Sequence, residues 1–155
     1  MSCATVHPSP ARAHAVPVPT AVRVHRRSVA RWAISNGRSA HRDALAAIVA
    51  ARAATLSDPA GVCSPTVWTS EEIEELLWVG VADWCEAAGV DPIDPVDIAA
   101  TLDTYLRHLS ARRLIAVGSD PVASLRRAVL DQGGPRSASH PTLSRHRLAP
   151  VVPIA

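Results

Sequence analysis

Apolar residues in the middle of this chain recur at the spacing of α-helices, and they never alternate over a length that would form a sheet. The clearest example lies between residues 70 and 88. At 100° per residue its apolar side chains fall within about 140° of arc, which is typical of an amphipathic surface helix. This stripe consists of Ile73, Leu76, Leu77, Gly80, Val81, Trp84 and Ala88. The pattern predicts an all-α fold.

The two ends of this helix carry recognisable termination signals. Thr69 followed by Glu72 forms a capping-box motif, in which each residue satisfies a backbone N–H of the other. The glutamates at positions 71, 72, 74 and 75 suit the positive end of the helix dipole, and their pattern is that of a solvated first turn. Gly89 is placed to end the helix in the left-handed conformation.

Three further helices are predicted, at about residues 41–56, 95–112 and 121–132. Their predicted N-terminal caps are Ser39, Asp94 and Asp120, the last two each followed by a proline that suits the first helical turn. The short apolar run 114–117 fits either a strand or a packed extended turn. The sequence therefore predicts one folded unit over residues 39–132, a small bundle of three to four helices.

Both ends of the chain lack a core-forming pattern. Residues 1–38 and 133–155 are rich in Pro, Ser, His and Arg, and cannot bury enough apolar surface to offset the entropy of ordering them. We expect a disordered basic arm and a disordered tail, with one short helix considered at 28–34. The composition of the arm also resembles an organellar transit peptide, and a misassigned start codon is a third interpretation.

Charge is distributed unevenly along the chain. Residues 1–57 contain eight arginines and one acidic residue, whereas residues 58–132 contain thirteen acidic residues and five arginines. The longest uninterrupted apolar run, 44–51, is far shorter than the roughly 20 residues that cross a bilayer. Three widely spaced cysteines indicate reduced thiols. We therefore expect a cytoplasmic protein without a membrane partner.

A group of cap and core positions between residues 66 and 130 resembles short helical proteins of actinobacteria whose function is not characterised. The positions are Trp68-Thr69, Leu76-Leu77-Trp78, Asp83-Trp84-Cys85, Tyr105-Leu106, Leu109, Leu114 and Ser119-Asp120-Pro121. The resemblance implies a small all-α module in a bacterial cytoplasm, and it supplies no active site.

Patterns typical of catalysis or metal binding are not found in the sequence. Asp91, Asp94 and Asp97 lack the glycine and the terminal glutamate of a calcium loop. The cysteines and histidines do not form the close pairs of structural zinc sites. The triplet at 118–120 lacks the flanking glycines of a nucleophile elbow. We therefore expect no enzymatic activity, no metal and no cofactor.

Two binding functions fit these observations. The leading hypothesis is a non-catalytic interaction module that binds a protein, a second copy of itself included, through Trp68 and Trp78, because tryptophan is enriched at binding hot spots. The alternative is accessory nucleic-acid binding by an arginine-rich arm that neutralises phosphates. The arginines of that arm are Arg23, Arg26, Arg27, Arg31 and Arg38.

Overall fold

A computed structural model of the chain describes residues 18–133, which form an all-α bundle. The helices are α1 (Thr20–Ser35), α2 (Arg42–Thr55), α3 (Ser70–Glu75), α4 (Val81–Ala88), α5 (Pro95–Ala111) and α6 (Val122–Gly133). A 3₁₀ turn (Pro59–Cys63) follows α2, and a π-helical turn (Leu76–Gly80) joins α3 to α4 in one continuous helix. No helix of this part is both long and apolar enough to cross a membrane. The predicted all-α fold is confirmed.

The prediction of disorder through residue 38 is wrong for helix α1. One face of α1 is buried, and the buried positions are Val22, His25, Val29 and Ala33. Their separations of three and four residues keep them on one side of a helix. The sequence shows this spacing of buried positions only when the polar residue His25 is counted with the apolar ones. Residues 1–17 and 134–155, also predicted to be disordered, lie outside the described residues.

Helix α1 ends in a turn formed by Asn36 and Gly37. Gly37 has a φ of +62°, a conformation that glycine adopts without strain. The N–H of Arg38 then donates to the carbonyl of Ala33 at 2.9 Å, which closes the turn. The chain then leads into α2, and Val22 and Val29 of α1 pack in the same core as the buried residues of α2.

Three predicted helix termini are confirmed. The Thr69 side chain accepts from the N–H of Glu72, and the Glu72 carboxylate accepts from the N–H of Thr69, which completes the capping box. Gly89 adopts a φ of +63° at the end of α4. Asp94 accepts from the N–H of Val96 at 2.8 Å at the start of α5.

Two predicted caps are wrong. The ring of His41, not Ser39, accepts from the N–H of Ala44 at the start of α2. The carboxylate of Asp120 accepts from the N–H and the hydroxyl of Ser70, at 2.8 and 2.9 Å. Asp120 therefore anchors the beginning of α3 to the segment before α6, although the two are far apart in sequence.

The ambiguous segment 114–117 is extended and pairs with the chain that precedes α3. The N–H of Thr66 donates to the carbonyl of Leu114 at 3.1 Å, and the N–H of Ala116 donates to the carbonyl of Thr66 at 2.8 Å. These bonds form one isolated parallel bridge between Thr66 and Ile115. They hold the strand-like segment that leads to Trp68 against the bundle.

The π-helical turn changes which face of the long helix is buried. The N–H of Val81 donates to the carbonyl of Leu76, five residues earlier, so one extra residue is accommodated in this turn. Beyond it Val81 and Cys85 are buried, whereas Trp84 is only half-buried and Ala88 is exposed. The stripe predicted for a uniform α-helix is thus shifted by one residue after the turn.

A glycine allows the π-helical turn to lie close to α2. A Cβ atom placed on Gly80 would lie only 3.0 Å from the Cβ of Ala51, closer than such atoms normally approach. The small residues at 51 and 80 therefore set the distance between α2 and the long helix. That close approach forms the floor of a pocket described below.

Candidate functional site

The arginines predicted to lie on a disordered arm are instead arranged along helix α1. Arg23, Arg27 and Arg31 are all exposed and follow each other at intervals of four residues, which places them in one row on the helix surface. Arg26 is half-buried on the flank of this row, and Arg38 is half-buried just beyond the helix. The helical backbone thus presents the row as an ordered surface.

Two open grooves adjoin this row and share Trp32. The first, of about 570 Å³, includes Arg27, Arg31 and Arg112 in its lining. The second, of about 440 Å³, includes Arg38, Arg107 and Arg126. Neither groove has an acidic residue in its lining. We call the set Arg23, Arg27, Arg31, Arg38 and Arg112 the basic face.

The arginines of the basic face keep their charges unpaired. Within residues 18–133 none of the five lies within ion-pair distance of a carboxylate. By contrast, Asp103 pairs with Arg107 at 2.8 Å and with Arg126 at 2.6 Å. Burial alone would raise the pKa of Asp103, but these two hydrogen bonds hold it below its ordinary value. The basic face therefore keeps five arginine charges available to a ligand, whereas Arg107 and Arg126 share the carboxylate of Asp103.

The two tryptophans predicted to bind a partner have different environments. Trp68 is 1% exposed, so its assignment as a contact residue is wrong, because a side chain buried in the core cannot reach a partner. Trp78 is 41% exposed, and its indole N–H donates to the side-chain oxygen of Gln132 at 3.0 Å. It lies beside Leu77, Pro95 and Ile98, with which it lines a small apolar cleft.

A third feature is a pocket of about 420 Å³ between α2 and the π-helical turn, which we call the π-turn pocket. Its apolar lining comes from alanines of α2 and from Leu76, Val79 and Trp84. Glu72, Glu75 and Asp83 contribute carboxylates. Pockets of a few hundred cubic ångströms with few polar groups are typical of small-ligand sites, and π-helical turns are frequent at functional sites.

Arg52 is the buried cation of the π-turn pocket. Its side chain pairs with the Glu72 carboxylate at 3.1 Å, and its guanidinium lies 4.2 Å from the centre of the Trp68 ring. Its Nε–H and the indole N–H of Trp68 are both buried and meet no acceptor within the described part of the chain. Arg52 therefore forms a neutralised ion pair at the pocket, and protein atoms enclose the two N–H donors.

A cluster of aromatic and histidine side chains lies inside the bundle. Nε2 of His25 and the hydroxyl of Tyr105 are 3.0 Å apart and share a hydrogen bond. The His108 ring contacts the rings of His25 and Trp32 edge-on, at centroid distances of 5.7 and 5.6 Å. Burial lowers the pKa of His25 and, together with the charges of His25 and Arg112, lowers that of His108 to about 4.

Sequence reasoning missed several residues of these sites. Arg112 and Arg126 are more than seventy residues from α1 in the sequence, so no spacing pattern relates them to its arginines. Arg52 lies among the apolar residues 44–56, and a charge within such a segment is a signal of a buried ion pair. Within residues 18–133 no group of three histidine, cysteine, aspartate or glutamate side chains is arranged to hold a metal ion.

Comparisons of the chain with models of protein families, with curated proteins and with solved structures found no match.

Proposed function

We propose that this chain is a non-catalytic helical interaction module of the cytoplasm, and that its basic face binds an extended polyanion, nucleic acid. The observation that supports the proposal is a row of exposed, unpaired arginines beside two grooves without an acidic lining. Arginine guanidinium groups bind phosphate oxygens in a bidentate manner, which favours them over other cations in such contacts. The free thiols of Cys63 and Cys85 agree with a reducing compartment.

Binding of this kind is expected to be independent of sequence and sensitive to salt. Each arginine that neutralises a phosphate releases a counterion, so affinity falls as the salt concentration rises. The grooves expose the ring of Trp32 between arginines from α1 and α5, and base stacking on such a ring favours single-stranded segments. The acidic residues of α3 and α4 would repel the phosphates, which would confine the polymer to the basic face.

The first prediction concerns the double variant Arg27→Gln and Arg31→Gln. We expect it to weaken binding to single-stranded DNA about tenfold at low salt, because two phosphate contacts are lost. The slope of log affinity against log salt should become shallower by about 1.4, since each contact on a single strand accounts for about 0.7. Filter binding or fluorescence anisotropy at several salt concentrations measures both quantities.

The matched control is Arg42→Gln with Arg127→Gln, which removes the same charge from exposed positions outside the two grooves. Its affinity and slope should stay near those of the wild type. If both double variants lost the same amount of affinity, net charge alone would account for the binding. That result would contradict a localised binding face. Deletion of residues 1–38 is not a suitable test, because it removes the core residues of α1.

A second candidate function, binding of a protein, is favoured by the position of Trp78. A tryptophan that is 41% exposed above an apolar cleft has the character of an interface anchor. Its hydrogen bond to Gln132 fixes the ring between the π-helical turn and the end of α6, which reduces the entropy lost on binding. The partner would present an apolar side chain to the cleft beside Leu77 and Ile98.

The prediction for this candidate is that Trp78→Ala weakens capture of a protein partner at least tenfold with little change in stability. Affinity capture from the source cell, followed by titration of the purified partner, measures the effect. Val117→Ala is the control, because Val117 is a fully exposed apolar residue in the segment before α6. Unchanged affinity of the Trp78→Ala variant would exclude this surface as the binding site.

A further inference from the structure

We propose that residues 148–154 of this chain, which we call the tail segment, dock into an apolar groove beside Trp78. The groove consists of two depressions, of about 50 and 270 Å³, that share Leu77 and Ile98 in their linings. It shares no residue with the basic face or with the π-turn pocket. The proposal therefore requires neither a polyanion nor a protein partner.

The lining of this groove is almost entirely apolar. In the smaller depression, Leu77, Pro95 and Ile98 lie beside the 41% exposed side chain of Trp78. The larger depression lies between α4 and the connector 90–93, and Glu86 is the one charged residue of its lining. Such a groove suits aliphatic side chains and proline rings, because burial of apolar surface is favourable and proline packs against aromatic rings.

The tail segment has the composition and the spacing of such a ligand. All seven of its residues are apolar, and Pro150 and Pro153 are separated by two valines. Proline-rich segments with this spacing bind aromatic-lined grooves as polyproline II helices, which are ordered at little entropic cost. Docking of the tail segment would therefore bury aliphatic side chains and prolines without burying a charge.

The end of α6 places the chain that follows it beside this groove. Gln132 belongs to the lining and accepts from the indole N–H of Trp78 at 3.0 Å. Fourteen residues, 134–147, connect α6 to the tail segment. A flexible linker of this length spans about 20 Å on average. The groove follows about 14 Å of helix from Leu77 to Glu86, so the linker is long enough for the tail segment to occupy it.

The charges at the groove are complementary to those beside the tail segment. Arg145 and Arg147 come just before the segment, and residues 134–155 contain no acidic residue. Glu86 lines the larger depression and has no ion pair within residues 18–133. We therefore place the two arginines beside Glu86 and Pro153 beside Trp78.

Weak affinity is sufficient for docking, because the segment and the groove belong to one chain. A short flexible linker holds the two at an effective concentration of about 1 mM. A segment with a dissociation constant of about 0.3 mM would then occupy the groove about three-quarters of the time. A separate protein that binds at Trp78 would have to displace it.

The first test follows the indole N–H signal of Trp78 in NMR spectra of the ¹⁵N-labelled full chain, assigned with Trp78→Phe. Val151→Asp with Val152→Asp places two carboxylates in the tail segment. We expect the Trp78 signal to shift in this variant, while the signals of Trp32 and Trp68 stay in place. In the unsubstituted chain the Trp78 signal should not depend on protein concentration, because docking is intramolecular.

The matched control for this test is Ser137→Asp with Ser139→Asp, which adds the same charge to the linker 134–147. It should leave the Trp78 signal unchanged. If the valine variant also leaves this signal unchanged, or if both double variants shift it equally, the proposal is overturned and the groove is left to a separate partner. A signal that changes on dilution overturns it as well, because the occupant is then a second copy of the chain.

The second test uses trypsin and changes the groove instead of the segment. Docking protects the bond after Arg147, whereas Arg136 belongs to the linker and serves as an internal reference. Trp78→Ala should raise the ratio of cleavage after Arg147 to cleavage after Arg136 about fourfold, because cleavage follows the population of the undocked segment. Val117→Ala removes exposed apolar surface outside the groove and should leave the ratio unchanged. The same ratio in the wild type and in Trp78→Ala would overturn the proposal.

Discussion

Replacing Trp68 by alanine is expected to lower the free energy of unfolding by about 3–5 kcal/mol, because a large buried side chain is lost and a cavity is left behind. The Trp68 ring is 1% exposed, contacts the Tyr105 ring at a centroid distance of 6.0 Å and supports the guanidinium of Arg52. For a domain of this size the unfolding temperature should fall by more than about 10 °C. Urea titration and thermal unfolding, followed by circular dichroism, measure the change.

Trp78→Ala is the matched control for this experiment. The same side chain is removed from a position that is 41% exposed, so the loss of stability should be below about 1 kcal/mol. The comparison separates the two tryptophans that were assigned one role on sequence grounds. Similar, small losses in both variants would contradict the burial of Trp68 and the packing of residues 66–68 against the bundle.

Local signals in the sequence predict much of the fold because capping depends on residues a few positions apart. Thr69 and Glu72 meet within one helical turn, so their motif is sufficient to place the start of α3. Asp94 acts in the same local way at the start of α5. Asp120 carries the same signal but binds Ser70 instead, since tertiary contact brings another helix start within reach. That choice between two N-termini cannot be derived from spacing.

A short helix was considered at residues 28–34, but the first two turns of the helix at residues 20–35 escaped prediction for a different reason. A periodicity based on apolar residues alone omits His25, and its buried face then contains too few positions to be recognised. The hydrogen bond to Tyr105 makes burial of this polar ring acceptable. The Asn36-Gly37 pair was the local signal that could have indicated the helix end.

Neither candidate site could be assembled from the sequence, because each depends on the packing of distant helices. The row of arginines on α1 is local, but its grooves require Arg112 and Arg126 from elements more than seventy residues away. The π-turn pocket requires the one-residue shift at Leu76–Gly80, which moves Trp84 from the predicted core stripe to the pocket wall. A uniform helical wheel places this ring in the core.

Acid is expected to destabilise the bundle between about pH 6.5 and pH 4 because of His108. Its pKa is lowered from 6.5 to about 4 in the folded chain, so well above pH 6.5 the ring is neutral in both states and contributes nothing to the pH dependence. As the pH falls below 6.5, the unfolded chain binds a proton that the folded chain does not bind. Stability therefore decreases, by about 3 kcal/mol at pH 4, and the lowered pKa of His25 adds to the loss.

His108→Leu should remove most of this pH dependence and should retain the fold at neutral pH, because both ring nitrogens are buried without a partner in the described structure. Urea denaturation at several values between pH 4 and 7 measures the slope. Leu109→Ala is the control, since it removes a fully buried neighbour without a titrating group and should lower stability by a similar amount at every pH. The loss from Asp103 does not obscure the result: its folded pKa lies below the ordinary 3.8, so its stabilisation is lost only as the pH falls further. A wild-type slope in His108→Leu would show that other groups cause the acid sensitivity.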